Sequence, residues 1–308
     1  MAKWLTIGRQ ITRKMSKIIC WWSGGITSAV ACKIAIERFG IENCQVIMID
    51  TKNEDADTYR FKNDCEKWYG LPITSITAVG KNYESIQDVW LKKLSLNTAT
   101  GAICSTELKR WVREDWQKHN EYDYQIFGYE FDKKEMNRAL GMHKNNPKAK
   151  PVFPLLMMGY DKPKCLDIIE NEAGIKVPDS YYYGFKNNNC LQTGCVQGGI
   201  GYWQLMRDIK PDVFNAMAKM EHTLTDLKGE PVTMLKDQSN EGKAKAEINP
   251  KDQLIFLVKH PDYPNNICLD DKPRQKVEPL FECNGFCGTN DLNKRIETEQ
   301  EINYEIET

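Results

Sequence analysis

The sequence predicts an α/β protein: a doubly wound, mostly parallel sheet with a loop-rich, cysteine-bearing C-terminal part. Three observations predict it. Short apolar runs, "KIICWW" at 17–22 and "CQVIMID" at 44–50, read as strands buried on both faces. Stretches of helical period alternate with such runs, the order of βαβ units. After about residue 175 the texture changes to "YYYGFKNNNCLQTGCVQGGIGYW", dense in Gly, Asn, Cys and Tyr. A division follows: 1–175 as the α/β domain, and 176–308 as a cysteine-rich helical and loop region packed on one edge of its sheet.

The elements follow in order. After the first strand, "ITSAVACKIAIERFG" places Val30, Ile34 and Ala35, then Arg38 and Phe39, at helical spacing, and Gly40 suits a C-terminal cap. Residues 55–70 read as a helix ending near Gly70, and "LPITSITAV" as a strand. Residues 83–95 and 106–118 read as helices, and 122–130 as a strand entering a turn. "KNNPKAKPVFP" is a polar, Pro-containing loop. One helical stretch is expected near 202–221. The acidic tail, "LNKRIETEQEINYEIET", is expected to fray.

Composition narrows the function classes. The 308 residues carry a formal net charge of −1, so global charge does not argue for non-specific nucleic-acid binding, though a local basic patch stays open. No apolar run approaches the roughly 20 residues that span a bilayer, and the first residues lack the apolar core of a secretory signal. The expectation is a cytoplasmic protein without membrane partners. Its 11 cysteines then read as thiols, ligands or catalytic groups rather than disulfides. Cys20, Cys32, Cys44 and Cys65 lie singly in apolar surroundings and read as small core residues.

"CWWSGGITSAV", at 20–30, holds the main functional signal. A turn between a parallel strand and a helix lies at the carboxyl edge of the sheet, where α/β folds bind ligands. Gly24 and Gly25 allow a sharp turn and close approach. The helix start offers unpaired N–H groups and partial positive charge to an anion. Ser23, Thr27 and Ser28 add hydroxyls. The stretch is neither Walker A nor G-x-G-x-x-G. It fits a phosphate cradle, and equally an ordinary tight βα turn.

The S-G-G-x-x-S pattern after a first strand resembles the PP-loop of the adenine-nucleotide α-hydrolase group. Within that group the chain resembles the phosphoadenosine phosphosulfate (PAPS) reductase family. "VIMIDTKNEDADTYRF", "GAICSTELKRW" and "VFPLLMMGYDKPKCLDIIENEAGIKVPDSYYYGFKNNNC" resemble further family segments in order, over roughly 17–200. The resemblance implies that Ser23, Gly24, Gly25 and Ser28 hold phosphates of ATP or a PAPS-like nucleotide. It implies that Asp50 lies near the nucleotide or its Mg²⁺; a strand-end cap is the plainer alternative. Lys109 and Arg110 would meet the phosphate or sulfate end, unless they form a solvated face. Gly128 would allow close approach after a central strand. Arg138 would clamp an oxyanion bidentately, or form a surface ion pair. There are departures. Ile26 and Thr27 stand where many members have an Asp before the final Ser. Glu130, with Lys133 and Lys134, stands where an Arg and then Glu-Ser are common. The reductases' C-terminal Glu-Cys-Gly-x-His element is missing: "FECNGFCG" has Asn284 after Cys283 and no His.

Two cysteine pairs complete the candidates. Cys190 and Cys195 flank "LQTG", and Cys283 and Cys287 flank "NGF". Four thiolates suit Zn²⁺ or a [4Fe–4S] cluster, and unligated thiols under loops are the alternative. Cys268 is a spare ligand. Cys104, where a helix starts, is a candidate nucleophile or sulfur carrier, or a structural thiol. With Lys109 and Arg138 it makes up the expected catalytic set. The four histidines show no metal spacing. Tyr181, Tyr182, Tyr183 and Phe185 read as core packing ahead of a base-stacking surface.

Three functions remain open: an enzyme that cleaves the α–β phosphate bond to adenylate an acceptor, with sulfur transfer as one use of the adenylate; a thiol-dependent sulfonucleotide reductase; and a nucleotide-binding regulatory module. The acceptor is a small molecule or a nucleic acid, and a homodimer is an open expectation.

Overall fold

The computed structural model describes residues 17–98, 101–188 and 190–280. A sheet of five strands forms the centre: β1 (Ile18–Trp22), β2 (Cys44–Ile49), β3 (Ile73–Ile76), β4 (Tyr124–Ile126) and β5 (Pro151–Val152). Their spatial order is β3-β2-β1-β4-β5. Every pairing is parallel, with Cys20 opposite Val46 on one side and Ile126 on the other. The fold is therefore α/β and doubly wound, as the apolar runs predict. The strand order reverses around β1, so the crevice above the ends of β1 and β4 is the switch point at which such sheets bind ligands.

Both faces are covered, because alternate residues of each strand point opposite ways. Ile18, Cys20 and Trp22 pack with α1 (Ile26–Phe39) and α2 (Ala56–Tyr69). Ile19 and Trp21 pack the other way, with Phe127 and Tyr129 and with helices introduced below. The adjacent tryptophans thus serve two cores. Trp22 lies 5.9 Å from Phe61, and Trp21 sits edge-on to Trp116 at 5.6 Å. Gly40 and Gly70 close α1 and α2 with positive φ, at 90° and 67°.

α3 (Ile86–Lys93) is capped by Ser85, whose side chain accepts from Asp88 N. Ile103–Ser105, a π turn at Thr106–Arg110 and α4 (Trp111–His119) then run on as one helical stretch. α5 (Lys133–Asn145) follows β4 and sets Ala139 and Met142 into the Trp21 core. α6 (Lys162–Asp167) packs beside α1. The single helix expected near 202–221 is two: α7 (Ile200–Ile209) and α8 (Pro211–Lys228). Lys210 leaves helical backbone at φ −132°, and Pro211, lacking an N–H, starts the next helix.

α7 and α8 belong to a third core. It unites Tyr83, Trp90 and Leu108 with Phe185, Trp203, Met217 and Leu257. Its outer wall is a small sheet of β6 (Leu235–Lys236), β7 (Leu254–Phe256) and β8 (Ile267–Cys268), ordered β8-β7-β6. Within it, α8 carries Glu221, whose buried carboxylate accepts from the N–H of Met234 and, at 2.7 Å, of Leu257. The tyrosine cluster departs from the core expectation. Phe185 is buried, but Tyr182 is 57% and Tyr183 42% exposed. No helix among the described residues is long and apolar enough to cross a membrane.

Candidate active site

The β1–α1 turn lies at the switch point. Gly24 has φ +91°, a conformation that favours glycine, and Gly25 is the N-cap of α1. Its N-cap glycine supplies no side chain, and its first turn holds no carboxylate. Apart from the Tyr181 hydroxyl, which takes the Ile26 N–H, the usual fillers of a helix N-terminus are missing where its amides and dipole face the crevice. Ser28 organises the turn: its Oγ accepts from Ser23 N at 3.1 Å, lies 2.9 Å from Ser23 Oγ, and donates to Gly25 O at 2.9 Å. Thr27 Oγ1 is buried and finds no hydrogen-bond partner among the described residues.

The turn is held from three sides. Below, Trp22 and Thr58 approach Gly24; a Cβ there would meet Thr58 Cγ2 at 3.0 Å. Above, Asn188 Nδ2 donates to Gly24 O at 3.0 Å and to Thr58 Oγ1 at 2.9 Å. Tyr181 accepts from Ile26 N at 3.3 Å, so this member of the tyrosine cluster touches the loop. On the third side stands Gly128, directly after β4. A Cβ on it would lie 2.5 Å from Ser28 Cα and 2.6 Å from Ser28 N. Gly128 makes its close approach to the backbone of α1. The glycine lets the β1–α1 turn dock against the end of β4.

Asp50, buried at the end of β2, accepts from Lys52 N at 2.7 Å, Lys52 Nζ at 2.8 Å and Tyr59 Oη at 3.0 Å. Burial alone would raise its pKa, but the Lys52 and Tyr59 hydrogen bonds outweigh it and hold the carboxyl below its ordinary value. Asp50 thus stands at the expected edge, engaged by neighbours from its own turn and from α2.

Beside it is a group that the sequence reading missed. Glu54 is 2% exposed, and its Oε1 accepts from Thr51 Oγ1 at 3.0 Å and pairs with Lys109 Nζ at 3.7 Å. The Cys190 thiol reaches the same oxygen at 3.8 Å and Thr51 Oγ1 at 3.5 Å. Lys109 therefore comes to the β2 edge. Arg110 is half-buried and lies 3.5 Å from Glu114.

Beside Tyr129 the expected Arg138 is joined by a second cation that the sequence reading missed, Arg113. Arg138 is buried, pairs with Glu135 at 3.1 Å and lies over the Tyr129 ring at 4.4 Å. Arg113, 1% exposed on α4, shares that environment. Burial lowers its pKa to about 9; Tyr129 and Glu114 oppose that, and Arg110 and Arg138 add to it. In sequence Arg113 reads as one more charge in "KRWVRED". Its i, i+4 spacing from Lys109 is the signal that was available.

Of the expected thiols, Cys104 sits in the helical turn before the π segment and packs on the third core. Cys190 and Cys195 are half-buried at the two ends of a turn that uses Gly194 at φ +67°. Cys283 and Cys287 lie outside the described residues. Leu280 N donates to Asn187 Oδ1 at 2.8 Å, which anchors the chain just before the second pair to a residue just before the first. Elsewhere Asp226, His260 and Asp262 bring one potential ligand atom each within 4.8 Å. There His260 Nδ1 already accepts from Asp262 N, which puts the neutral ring's proton on Nε2, 3.2 Å from Asp226.

Comparison with known proteins bears on the sheet half. Residues 17–94 match the phosphoadenosine phosphosulfate reductase domain family, so the resemblance carried by the loop and the β2 segment is borne out over that stretch. No curated protein matches the chain significantly. Among solved structures, the U34-tRNA thiolase NcsA from Methanococcus maripaludis with its [4Fe-4S] cluster is similar at 12% identity and a TM-score of 0.33. That likeness covers 83% of this chain and 90% of that one.

Proposed function

We propose that this protein is a PP-loop enzyme that binds ATP, or a PAPS-like adenine nucleotide, with its phosphates on the Ser23–Ser28 turn. In this reading it adenylates an acceptor for sulfur-related chemistry. The observation that carries it is the start of α1: a helix N-terminus with a glycine N-cap and no acidic residue in its first turn, lined by Ser23 and Ser28, at the point where the strand order reverses. The match of residues 17–94 to a domain named for a sulfur-bearing nucleotide supports the same reading.

In the proposed step the acceptor's nucleophile attacks the α-phosphorus. The bond to the bridging oxygen of the β-phosphate breaks, and pyrophosphate leaves with the electron pair. The α1 amides and the Ser23 and Ser28 hydroxyls would hold the leaving group, and Lys109, Arg113 and Arg138 would draw anionic groups to the edge. Mg²⁺, when bound, would neutralise the polyphosphate, with Asp50 as its candidate ligand.

Cys190 and Cys195, with Cys283 and Cys287, remain the proposed thiolate set for Zn²⁺ or a [4Fe–4S] cluster, and the Leu280–Asn187 hydrogen bond supports their convergence. A second reading, the thiol-dependent sulfonucleotide reductase, draws on the place of Cys190 against Thr51 and Glu54 at the nucleotide edge.

Calorimetry with ATP and Mg²⁺, followed by a pyrophosphate assay with candidate acceptors, tests the first reading. Heat of binding and pyrophosphate release support it. Thioredoxin-dependent sulfite release from a sulfonucleotide would select the second. Absence of binding by a folded protein to ATP or any adenylyl analogue would overturn both.

A further inference from the structure

We infer that the outer face of α5 and the turn after it form a docking track for single-stranded nucleic acid, which leads that partner to the nucleotide edge. The inference deepens the proposed function by naming the class of acceptor, and it rests on that reading only for the reaction.

The chain as a whole is nearly neutral, with 42 basic and 43 acidic residues. Residues 133–150, "KKEMNRALGMHKNNPKAK", break that balance: they hold five lysines and one arginine against a single carboxylate, Glu135. Glu135 is buried and engaged with Arg138. It therefore offsets nothing at the surface. Lys133, Lys134, Lys144, Lys148 and Lys150 are all exposed. Among the described residues the first four form no ion pair, whereas most other helices here lace their lysines to acidic neighbours at i, i+3 or i+4. Lys150 is spent on Tyr122, whose carbonyl its Nζ meets at 3.4 Å. Of the exposed acids nearby, Asp132 caps α5 and accepts from Lys134 N at 2.7 Å, while Glu121 and Asp123 are engaged with Lys17.

Geometry turns these charges into a line. Lys133, Asn137, Leu140 and Lys144 recur at i, i+4, i+7 and i+11, one straight outer stripe of the helix, and all four are exposed. At 1.5 Å per residue, Lys133 and Lys144 lie about 16 Å apart along the axis, a span that several nucleotides of one strand would cover. Lys148 extends the track by a further turn. The other end opens at the switch point, because α5 starts just past β4. There Phe131 is 48% exposed, and Leu140 midway is 69% exposed. A track of cations with apolar platforms fits a strand whose bases are free to stack. A small acceptor would need none of this length.

The test is fluorescence anisotropy with a 5′-labelled, mixed-sequence 20-nucleotide RNA between 50 and 200 mM salt. The wild-type protein should bind with an affinity that falls steeply as salt rises. The triple variant Lys133→Glu, Lys144→Glu and Lys148→Glu should bind roughly 100-fold more weakly at low salt, with a log–log salt slope smaller by about 2, from about 0.7 per lost phosphate contact. A charge-matched control, Lys219→Glu, Lys236→Glu and Lys243→Glu, on exposed lysines of the C-terminal part, should bind as wild type. ATP calorimetry on all three proteins separates the two readings. A stripe variant that keeps ATP heat and loses RNA supports the inference; RNA binding without ATP heat in the wild type refutes the nucleotide reading alone. Equal loss in the control, unaltered RNA binding by the stripe variant, or binding of anionic phosphatidylserine vesicles in place of RNA overturns it.

Discussion

Replacing Gly128 by Ala tests how the β1–α1 turn is built. The added Cβ would sit 2.5 Å from Ser28 Cα, 2.6 Å from Ser28 N and 2.9 Å from Thr27 C. All three are backbone atoms of the first turn of α1, so no side chain can swing aside. Reaching an ordinary contact of 3.4 Å requires a retreat of 0.9 Å by α1 or by the end of β4. α1 is wedged between the sheet and the Trp22 core, and its Ala29, Val30 and Ala31 are each no more than 1% exposed. Overpacking of this kind costs about 1–3 kcal/mol. For a protein of this size that lowers Tm by roughly 2–10 °C. The same shift moves the Ser23, Gly25 and Ser28 donors by a large fraction of a hydrogen-bond length, so ATP affinity should fall by at least about tenfold. Calorimetry and differential scanning fluorimetry measure both. Gly199→Ala is the control: nothing lies within 4 Å of its Cβ position, and both quantities should hold. If Gly128→Ala binds ATP as wild type at an unchanged Tm, the docking of the loop on β4 is not what shapes the site.

Three further outcomes are expected. Asn188→Ala removes the hydrogen bonds to Gly24 O and Thr58 Oγ1 and should cost about 1–3 kcal/mol while weakening ATP binding, read by chemical denaturation and calorimetry. Inorganic phosphate should raise the Tm of the wild type, and Arg113→Leu should remove most of that rise, because it deletes a buried cation beside Arg138; an unchanged phosphate response would place the anion elsewhere. Burial pushes the Glu221 carboxyl up to about 8, against the two backbone N–H groups that favour its charge. Since the folded value lies above the unfolded one, its stabilising share is complete below about pH 4.5 and drains away as pH rises to 8. Denaturation midpoints across that window should show the decline, and Glu221→Gln should flatten it while leaving one of the Met234 and Leu257 N–H groups facing an amide NH₂.

The sheet was legible because its signals are local. Apolar runs too short for helices, glycines after helical stretches and the Ser-Gly-Gly turn need only neighbours in sequence to be interpreted. The loop residues Ser23, Gly24 and Ser28 were legible for the same reason. Asn188 was not, since its partner Thr58 lies 130 positions away and nothing in "FKNNNC" says which asparagine will reach it. Arg113 and Glu54 were hidden by composition: each stands in a polar run that reads as a solvated face until the fold buries it. The contact of Gly128 with Ser28 was not legible, because a glycine announces a close approach without naming what approaches. The break at Lys210 escaped because apolar periodicity continues on both sides of Pro211.

The third core has a consequence for biosynthesis. Tyr83, Trp90 and Leu108 leave the ribosome long before Met217 and Leu257, the residues that cover them. At about 5–20 residues per second, the gap of some 150 residues lasts roughly 10–30 s, during which an indole and several aliphatic groups stay wet on a nascent chain whose central strands can already pair. Chaperone dependence during translation should therefore concentrate on this segment rather than on the strands.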